Sequence, residues 1–98
     1  MPIRIETSPA ASEELDVAVD YVLRISRAAA DRFADSYERA ITNILEFPFI
    51  GREEFGARRL QITGSDYAII YRVREDGSVT IVAFPHASRE PGYWRDRL

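Results

Sequence analysis

The chain has 98 residues, enough for one domain (residues 1–98) that buries roughly 60 to 65% of the surface that its unfolded form exposes. It contains no cysteine, which excludes disulfides, zinc–thiolate sites and thiol nucleophiles, and its thirteen permanently charged basic residues are all arginines. The net charge of −3 argues against non-specific binding to nucleic acid, but residues 1–50 carry a net −4 and residues 51–98 a net +1, so an anionic target would meet the second half.

The first predicted elements are a short strand and a helix. Ile3 and Ile5 alternate with charged residues, which predicts a strand with one buried face. Ser8 and Pro9 then provide an N-cap and a proline at the first helical position. The apolar residues of this helix recur at the spacing of one helical face and comprise Ala11, Leu15, Ala18, Val19 and Val22.

A second predicted helix follows almost directly. Ser26 can cap its start, and Pro48 ends it. Its apolar stripe is the most regular helical pattern in the sequence and comprises Ala30, Phe33, Ala34, Tyr37, Ile41, Ile44 and Leu45. Because the connection is so short, the two helices are predicted to pack as an antiparallel hairpin.

The second half of the chain is predicted to consist of loop and strands. Phe47 to Ala57 contains two glycines and a proline and is predicted to be a loop. After it the apolar period changes to two, so that Leu60 and Ile62 would face the helices and Arg59 would lie on the opposite, uncovered face of the sheet. Two further strands are predicted over residues 67–74 and 79–84, joined by a hairpin turn at residues 75–78.

The predicted order is therefore strand, helix, helix and three antiparallel strands. Segregation of helices and strands indicates an α+β fold, in which a helical hairpin covers one face of a mainly antiparallel sheet (β-α-α-β-β-β). The other face of the sheet would remain free.

The residues best suited to a function follow the last predicted strand. His86 and Trp94, the only histidine and the only tryptophan, fall within a nine-residue segment, and Arg89, Tyr93, Arg95 and Arg97 lie in or beside it. Such a group can bind a phosphate, stack a base or anchor a partner protein. The alternative is a terminus whose aromatic side chains simply cover the core.

Several short motifs occur in a defined order along the chain. They are Ser8-Pro9-Ala10-Ala11, Glu14-Leu15, Asp20-Tyr21, Ala30-x-x-Phe33, Leu45-x-Phe47-Pro48-x-x-Gly51, Arg58-Arg59-Leu60, Tyr67-x-Ile69-x-Tyr71-Arg72-Val73 and His86-x-x-Arg89. Their joint order and spacing resembles the ParE/RelE superfamily of toxins from bacterial type II toxin–antitoxin modules, over nearly the whole chain and closer to the ParE-like branch.

The resemblance implies one of two activities, because the superfamily supports both on one fold. RelE-like members cleave messenger RNA on the ribosome without a metal ion, which requires a proton acceptor, phosphate-binding cations and a proton donor on one face of the sheet. ParE-like members are not known as nucleases. They bind the A subunit of DNA gyrase, trap the enzyme on cleaved DNA and so inhibit growth or stabilise plasmids.

The residues at the RelE-type positions favour the second activity. The cationic set of the nucleases falls on Arg59, Gln61 and Ala68, of which only the first is basic. If the protein were a nuclease, the resemblance would assign catalysis to Arg59, His86 and Arg89, with the histidine exchanging the proton. The nuclease set is thus depleted, whereas the ParE-like motifs are intact.

In the ParE-like interpretation the protein is not an enzyme. The segment after the last predicted strand, residues 86–98, which we call the tail, is then a contact surface. The residues expected to contact the target are Arg59, His86, Arg89, Tyr93 and Trp94. Deletion of residues 90–98 should then abolish toxicity and leave the fold intact.

The resemblance also implies a cognate antitoxin that neutralises the toxin in a hetero-oligomeric complex. An antitoxin would lay an amphipathic segment across the helical hairpin or add a strand to the sheet edge. The apolar residues predicted to form its binding patch are Leu23, Ile25, Phe49, Ile50 and Phe55.

Three functional hypotheses remain open at this point: a gyrase inhibitor, a ribosome-dependent mRNA endonuclease, and a non-toxic α+β interaction module. For each of them we expect no cofactor and no metal ion, since one histidine and no cysteine argue against a transition-metal site. The first eleven residues have no apolar leader region and no apolar run approaches a membrane span, so we expect a cytoplasmic protein.

Overall fold

A computed structural model describes residues 4–98, and this part of the chain forms two helices and five strands. Ile3, which was predicted to belong to the first strand, lies outside the described residues. Neither helix in this range combines the length and apolar character needed to cross a membrane. The elements are β1 (Ile5–Thr7), α1 (Pro9–Ile25), α2 (Arg27–Glu46), β2 (Arg52–Glu54), β3 (Ala57–Gln61), β4 (Ala68–Val73), β5 (Val79–Ala83) and a 3₁₀ turn (Arg95–Arg97).

The two helices begin where the capping residues predict. The Ser8 hydroxyl accepts a hydrogen bond from the Ala11 N–H at 3.2 Å, and Pro9 occupies the first turn of α1. Ser26 ends α1 and caps α2, because its extended backbone turns the chain and its hydroxyl accepts from the Ala29 N–H at 2.9 Å. This single residue joins two helices that pack against each other, which confirms the helical hairpin.

The strands form one mixed sheet in the order β1-β5-β4-β3-β2. β1 pairs with β5 in parallel, and the other three pairs are antiparallel. The α+β architecture is therefore confirmed, with one strand more than predicted, because β2 lies within the predicted loop. The hairpin between β2 and β3 turns at Phe55 and Gly56, which both have positive φ (50° and 84°). A phenylalanine in that conformation is unusual. The usual sequence signal of such a turn is Asn-Gly, and because Phe-Gly stands here instead, the sequence does not predict this hairpin.

The helices cover one face of the sheet and form the larger hydrophobic core with it. Val19 and Ala34 do not belong to this core, contrary to the predicted stripes. Each follows a buried residue, Ala18 or Phe33, by one position and therefore lies about 100° further round its helix. The buried members of the core are Ala11, Ala18, Phe33, Ala40, Ile44, Ile62, Ile69, Tyr71, Val79, Ile81 and Phe84.

The opposite face of the sheet is covered as well, so the prediction of an uncovered face is wrong. The tail folds back onto it, and Trp94, only 1% exposed, packs there. The physical reason lies in β4 and β5, which are runs of nearly continuous apolar residues and therefore need burial on both faces. This second core comprises Ala57, Ile70, Val82, Ala83 and Trp94, with Tyr93 packed beside it.

Candidate functional site

Two adjoining clefts lie along α1. The first, of about 350 Å³, lies between the N-terminal half of α1 and the segment after β5, and it is lined by Ala10, Glu13, Glu14, Val17, Ala18, Tyr67, Phe84, His86, Arg89 and Arg97. The second, of about 410 Å³, lies between the C-terminal half of α1, α2 as far as Arg39 and the β3–β4 turn, and it is lined by Tyr21, Val22, Ile25, Ala29, Arg32, Phe33, Ser36, Arg39, Thr63, Gly64, Ser65, Asp66 and Tyr67. Tyr67 lines both clefts, and we refer to the two together as the α1 groove.

His86 stands at the wall of the groove, with its ring held in one orientation. Its backbone forms an isolated bridge with Tyr67, and the two rings meet edge to face with centroids 5.0 Å apart. The Ser88 N–H donates to Nδ1 at 3.0 Å, so the neutral imidazole carries its proton on Nε2. Nε2 lies 3.9 Å from a carboxylate oxygen of Asp66. The side chain is one-third exposed, and its Nε2–H can donate to a bound group.

Arg89 provides a positive charge beside His86. Its guanidinium lies over the ring of Tyr93, 3.7 Å from the ring centroid. Among residues 4–98 no carboxylate forms an ion pair with Arg89. The charge is therefore positioned by an aromatic ring but is not neutralised.

Glu14 on α1 joins the helix to the tail, a role that the sequence did not reveal. Its carboxylate accepts hydrogen bonds from the Phe84 N–H at 3.2 Å, the Tyr93 hydroxyl at 2.7 Å and the Arg97 guanidinium at 2.9 Å. Burial raises the pKa of Glu14, but the hydrogen bonds from Arg97, Tyr93 and the Phe84 backbone outweigh burial and lower this pKa below its ordinary value. Burial and the same carboxylate raise the pKa of Tyr93.

The tail does not present the aromatic contact surface that was predicted. Trp94 is buried in the second core, so it is not available to a target, and the Tyr93 hydroxyl is committed to Glu14. A sequence pattern gives no period for an irregular segment, and the burial of Trp94 depends on how residues 87–98 turn. Of the predicted tail contacts, only His86 and Arg89 reach the surface as free groups.

Arg59 lies apart from the groove, on the sheet face that the tail covers. It pairs with Glu54 across the β2–β3 hairpin at 3.5 Å and is 23% exposed. The Gln61 amide donates to the Ser65 and Tyr67 carbonyls at 2.7 and 3.0 Å, and Ala68 is fully buried. The structure therefore brings His86 and Arg89 together but not Arg59.

The predicted antitoxin patch consists of exposed residues, but they do not form one surface. Leu23 and Ile25 lie at the C-terminal end of α1, whereas Phe49 and Ile50 follow the far end of α2. A 20-residue helix spans about 30 Å, and this length separates the two pairs. Phe55 lies at the β2–β3 turn, where its ring meets Trp94 edge to face. The predicted patch joins apolar residues that lie off the core stripes, and a sequence does not give the distance between two such residues.

Two exposed apolar residues that the predicted patch omitted lie on α1. Val17 and Tyr21 are 64% and 54% exposed and share one stripe with Ile25, since the three are spaced four residues apart. The signal was present in the sequence as a second apolar stripe beside the core stripe of α1. All three line the α1 groove.

The described residues contain no group of three or more histidine, cysteine or carboxylate side chains that could hold a metal ion. The groove instead combines an apolar stripe, an imidazole and free guanidinium groups. This combination suits the binding of a protein segment or an anionic group.

Comparison with known proteins identifies the family. The sequence model of a protein family, described as the ParE toxin of the type II toxin–antitoxin system parDE, matches residues 5–91. A solved chain described as the chromosomal ParDE TA system from P. aeruginosa is similar in structure, with a TM-score of 0.68 and 17% sequence identity over 86% of this chain and 95% of that chain. No curated protein matches the sequence. The structural likeness shows a shared fold, and the family match spans most of the chain, which therefore belongs to the ParE toxin family of type II toxin–antitoxin systems.

Proposed function

We propose that this toxin inhibits DNA gyrase through non-covalent contacts, and that a cognate antitoxin neutralises it by binding along the α1 groove. The observation that carries the proposal is the state of the three positions at which a RelE-like nuclease has its cations. Here they hold Arg59, Gln61 and Ala68, and each is committed to the fold.

A ribosome-dependent nuclease needs free positive charges on the sheet face to stabilise the phosphate in the transition state. Arg59 is paired with Glu54, the Gln61 amide is bonded into the β3–β4 turn, and Ala68 is buried. The tail covers the middle of the same face with Trp94. These contacts favour an inhibitor that binds its target over an enzyme that cleaves RNA.

His86 and Arg89 are the residues best placed to contact gyrase. Both line the groove, and both keep polar atoms free for a partner. Tyr93 supports the Arg89 guanidinium from below, so its part in target binding is to position that charge. Arg59, which is paired with Glu54 on the margin of the tail-covered face, is a separate candidate for a gyrase contact outside the groove.

The antitoxin is expected to use the exposed stripe of α1. Val17, Tyr21 and Ile25 offer apolar side chains along about two turns of helix, the pattern against which an amphipathic helix packs. Burial of such residues is the main source of affinity in helix-in-groove complexes.

Two assays on purified protein test the target. We expect the toxin to block supercoiling by gyrase at low micromolar concentration and to leave ribosome-bound messenger RNA intact. Arg89→Ala should raise the inhibitory concentration about fivefold, since an exposed charge contact is worth on the order of 1 kcal/mol. Arg72→Ala is the matched control, because Arg72 is an exposed arginine on β4 that lies outside the groove.

The opposite pair of results, cleaved messages and unaffected supercoiling, would replace this proposal with the nuclease. Absence of a growth defect on expression without antitoxin, together with inactivity in both assays, would indicate a protein that keeps the fold only as an interaction module.

A further inference from the structure

We infer that the second cleft of the α1 groove is a binding site for a small molecule that joins a phosphate group to a flat apolar ring system, and that a nucleoside phosphate is the class of ligand it takes. The cleft lies between α1, α2 and the β3–β4 turn, and its volume of about 410 Å³ is within the usual range of small-molecule sites. Binding of such a ligand does not depend on whether gyrase is the target.

The polar wall of the cleft is a stripe on α2. Arg32, Ser36 and Arg39 are spaced four and three residues apart and therefore lie on one face of the helix, with about 10.5 Å of rise between the two arginines. Neither arginine forms an ion pair with a carboxylate of residues 4–98. Arginine side chains are long enough to converge on one group between them, and a guanidinium binds phosphate oxygens through two parallel hydrogen bonds. This wall can therefore hold a phosphate beside the Ser36 hydroxyl.

The charge of the cleft is positive, although the chain as a whole is acidic. Two arginines and one carboxylate, that of Asp66, line it. The Asp66 carboxylate lies 3.9 Å from the imidazole Nε2 that lines the first cleft. Asp35 and Glu38 line a separate cleft together with Arg39, so they weaken the field of that arginine more than the field of Arg32. Arg32 is therefore expected to be the main phosphate contact.

The rest of the cleft is largely apolar and aromatic. Tyr21 and Ile25 of α1 are 54% and 64% exposed, whereas Phe33 is buried and Tyr67 is half-buried. Burial raises the pKa of Tyr67, and the neighbouring Tyr21 and Asp66 raise it further, so the Tyr67 hydroxyl stays protonated. An exposed tyrosine ring beside an aliphatic side chain is a surface on which a nucleobase can stack.

The β3–β4 turn closes the cleft with hydroxyl groups and an accessible backbone. Thr63 and Ser65 line the cleft, and Gly64 between them has a positive φ of 76°. Apart from its chain neighbours, no atom of residues 4–98 lies within 4 Å of the point that a Cβ at Gly64 would occupy, so a ligand can approach the backbone there. The Ser65 hydroxyl donates to the Ile62 carbonyl at 2.8 Å, which makes the Thr63 hydroxyl the better candidate for a bond to a ribose.

Titration of the full-length protein with ADP, inorganic phosphate and adenosine, in magnesium-free buffer, separates the two halves of the cleft. We expect ADP to bind with a dissociation constant of about 1 mM or lower, and phosphate and adenosine at least about tenfold more weakly, since each of them contacts only one half. Amide NMR signals of the isotope-labelled protein report the location. The signal of Gly64 should shift, and that of Gly77, a positive-φ glycine in the β4–β5 turn, should stay in place.

Two substitutions test the two halves of the cleft separately. Arg32→Ala should weaken ADP binding about tenfold and leave adenosine binding unchanged, with a smaller difference at high salt. Tyr21→Ala should weaken the binding of both ADP and adenosine about fivefold or more, as expected for a lost base–aromatic stack, and leave phosphate binding unchanged. Arg24→Ala is the matched control, because Arg24 is an exposed arginine of α1 that does not line the cleft. All three side chains are exposed, so the variants should keep the circular dichroism spectrum of the wild type.

Several results would overturn the inference. An unshifted Gly64 signal at several millimolar ADP would show that the cleft does not bind nucleotides. Equal effects of Arg32→Ala and Arg24→Ala would show that only the overall charge of the protein matters. Inorganic phosphate that binds as tightly as ADP would exclude a contribution of the apolar half. A short single-stranded DNA that binds more tightly than ADP would assign the cleft to nucleic acid, which the net charge of −3 disfavours.

Discussion

The two faces of the sheet are covered in different ways. On one face two helices spread the burial over eleven residues, none of which dominates the core. On the other face a short irregular tail covers the sheet with one large side chain, Trp94, which four smaller buried residues surround. Burial on the first face is therefore distributed over many side chains, whereas burial on the second is concentrated in one.

The difference shows how an irregular tail is held in place. A helix satisfies its own backbone and needs only apolar contacts, whereas the tail depends on polar bonds from another element. Glu14 of α1 supplies them, through the Tyr93 hydroxyl and the Arg97 guanidinium on either side of Trp94. The tail-covered face thus depends on two residues, one apolar and one charged.

Replacement of Trp94 tests whether the tail-covered face depends on this one side chain, and it has the largest expected effect on stability. Trp94→Ala should lower the free energy of unfolding by about 4 kcal/mol, because a fully buried aromatic side chain leaves a cavity that the sheet cannot close. Urea unfolding followed by circular dichroism measures it. Trp94→Phe is the control, since a smaller ring retains part of the burial and should cost much less.

A loss below about 1 kcal/mol in Trp94→Ala would mean that the tail only rests on the sheet. Deletion of residues 90–98 would then be harmless to the fold, as the sequence-based interpretation of the tail as a free contact surface requires. The burial of Trp94 leads us to expect the contrary, namely that this truncation destabilises the protein.

The hydrogen bonds from Tyr93 and Arg97 to Glu14 link the tail to the helical layer, and replacement of Glu14 tests them. Glu14→Gln should cost about 2 kcal/mol at neutral pH, the magnitude of hydrogen bonds to a charged acceptor. Because the folded protein lowers the pKa of Glu14 below its ordinary value of 4.5, the carboxylate contributes its full stability above about pH 4.5. That contribution is lost as the pH falls through the lower, folded-state pKa.

The difference in unfolding free energy between wild type and Glu14→Gln should therefore be largest at neutral pH and shrink below pH 4.5. Glu13→Gln is the matched control, since Glu13 is an exposed neighbour without a bond to the tail and should change stability by less than about 0.5 kcal/mol. A Glu14→Gln difference that stays constant down to pH 3 would show that the carboxylate charge plays no part.

The distributed cover could be predicted from the sequence, and the concentrated one could not. Ser8 and Ser26 mark helix starts by local chemistry, and apolar spacing marks the helical faces that meet the sheet. These signals act over a few residues. The bond between Glu14 and Arg97 joins positions 83 residues apart, and no local pattern encodes it.

The candidate site was predictable to the same limited extent. The sequence indicates His86 and Arg89 because a rare residue and a cation lie close together, and the two do share a cleft. It indicates Trp94 on the same ground, although the neighbours of Trp94 in space are Ile70, Val82 and Ala83. Rarity and chemical type identify a candidate residue, but only the fold decides whether its side chain faces solvent or the core.

Arg59 gives the smallest expected effect on stability and the sharpest test of where the target binds. It belongs to the tail-covered face, whereas Arg89 belongs to the groove, so the two arginines assign target binding to different surfaces. Arg59→Gln should lower the free energy of unfolding by at most about 1 kcal/mol, because its pair with Glu54 is long, at 3.5 Å, and partly exposed. A change in gyrase inhibition by this variant therefore reports contact with the target and not loss of fold. Equal losses of inhibition in Arg59→Gln and Arg89→Gln would require a target that reaches from the groove around the tail to β3. Loss in Arg89→Gln alone would confine the target to the α1 groove, and loss in Arg59→Gln alone would place the target on the tail-covered face.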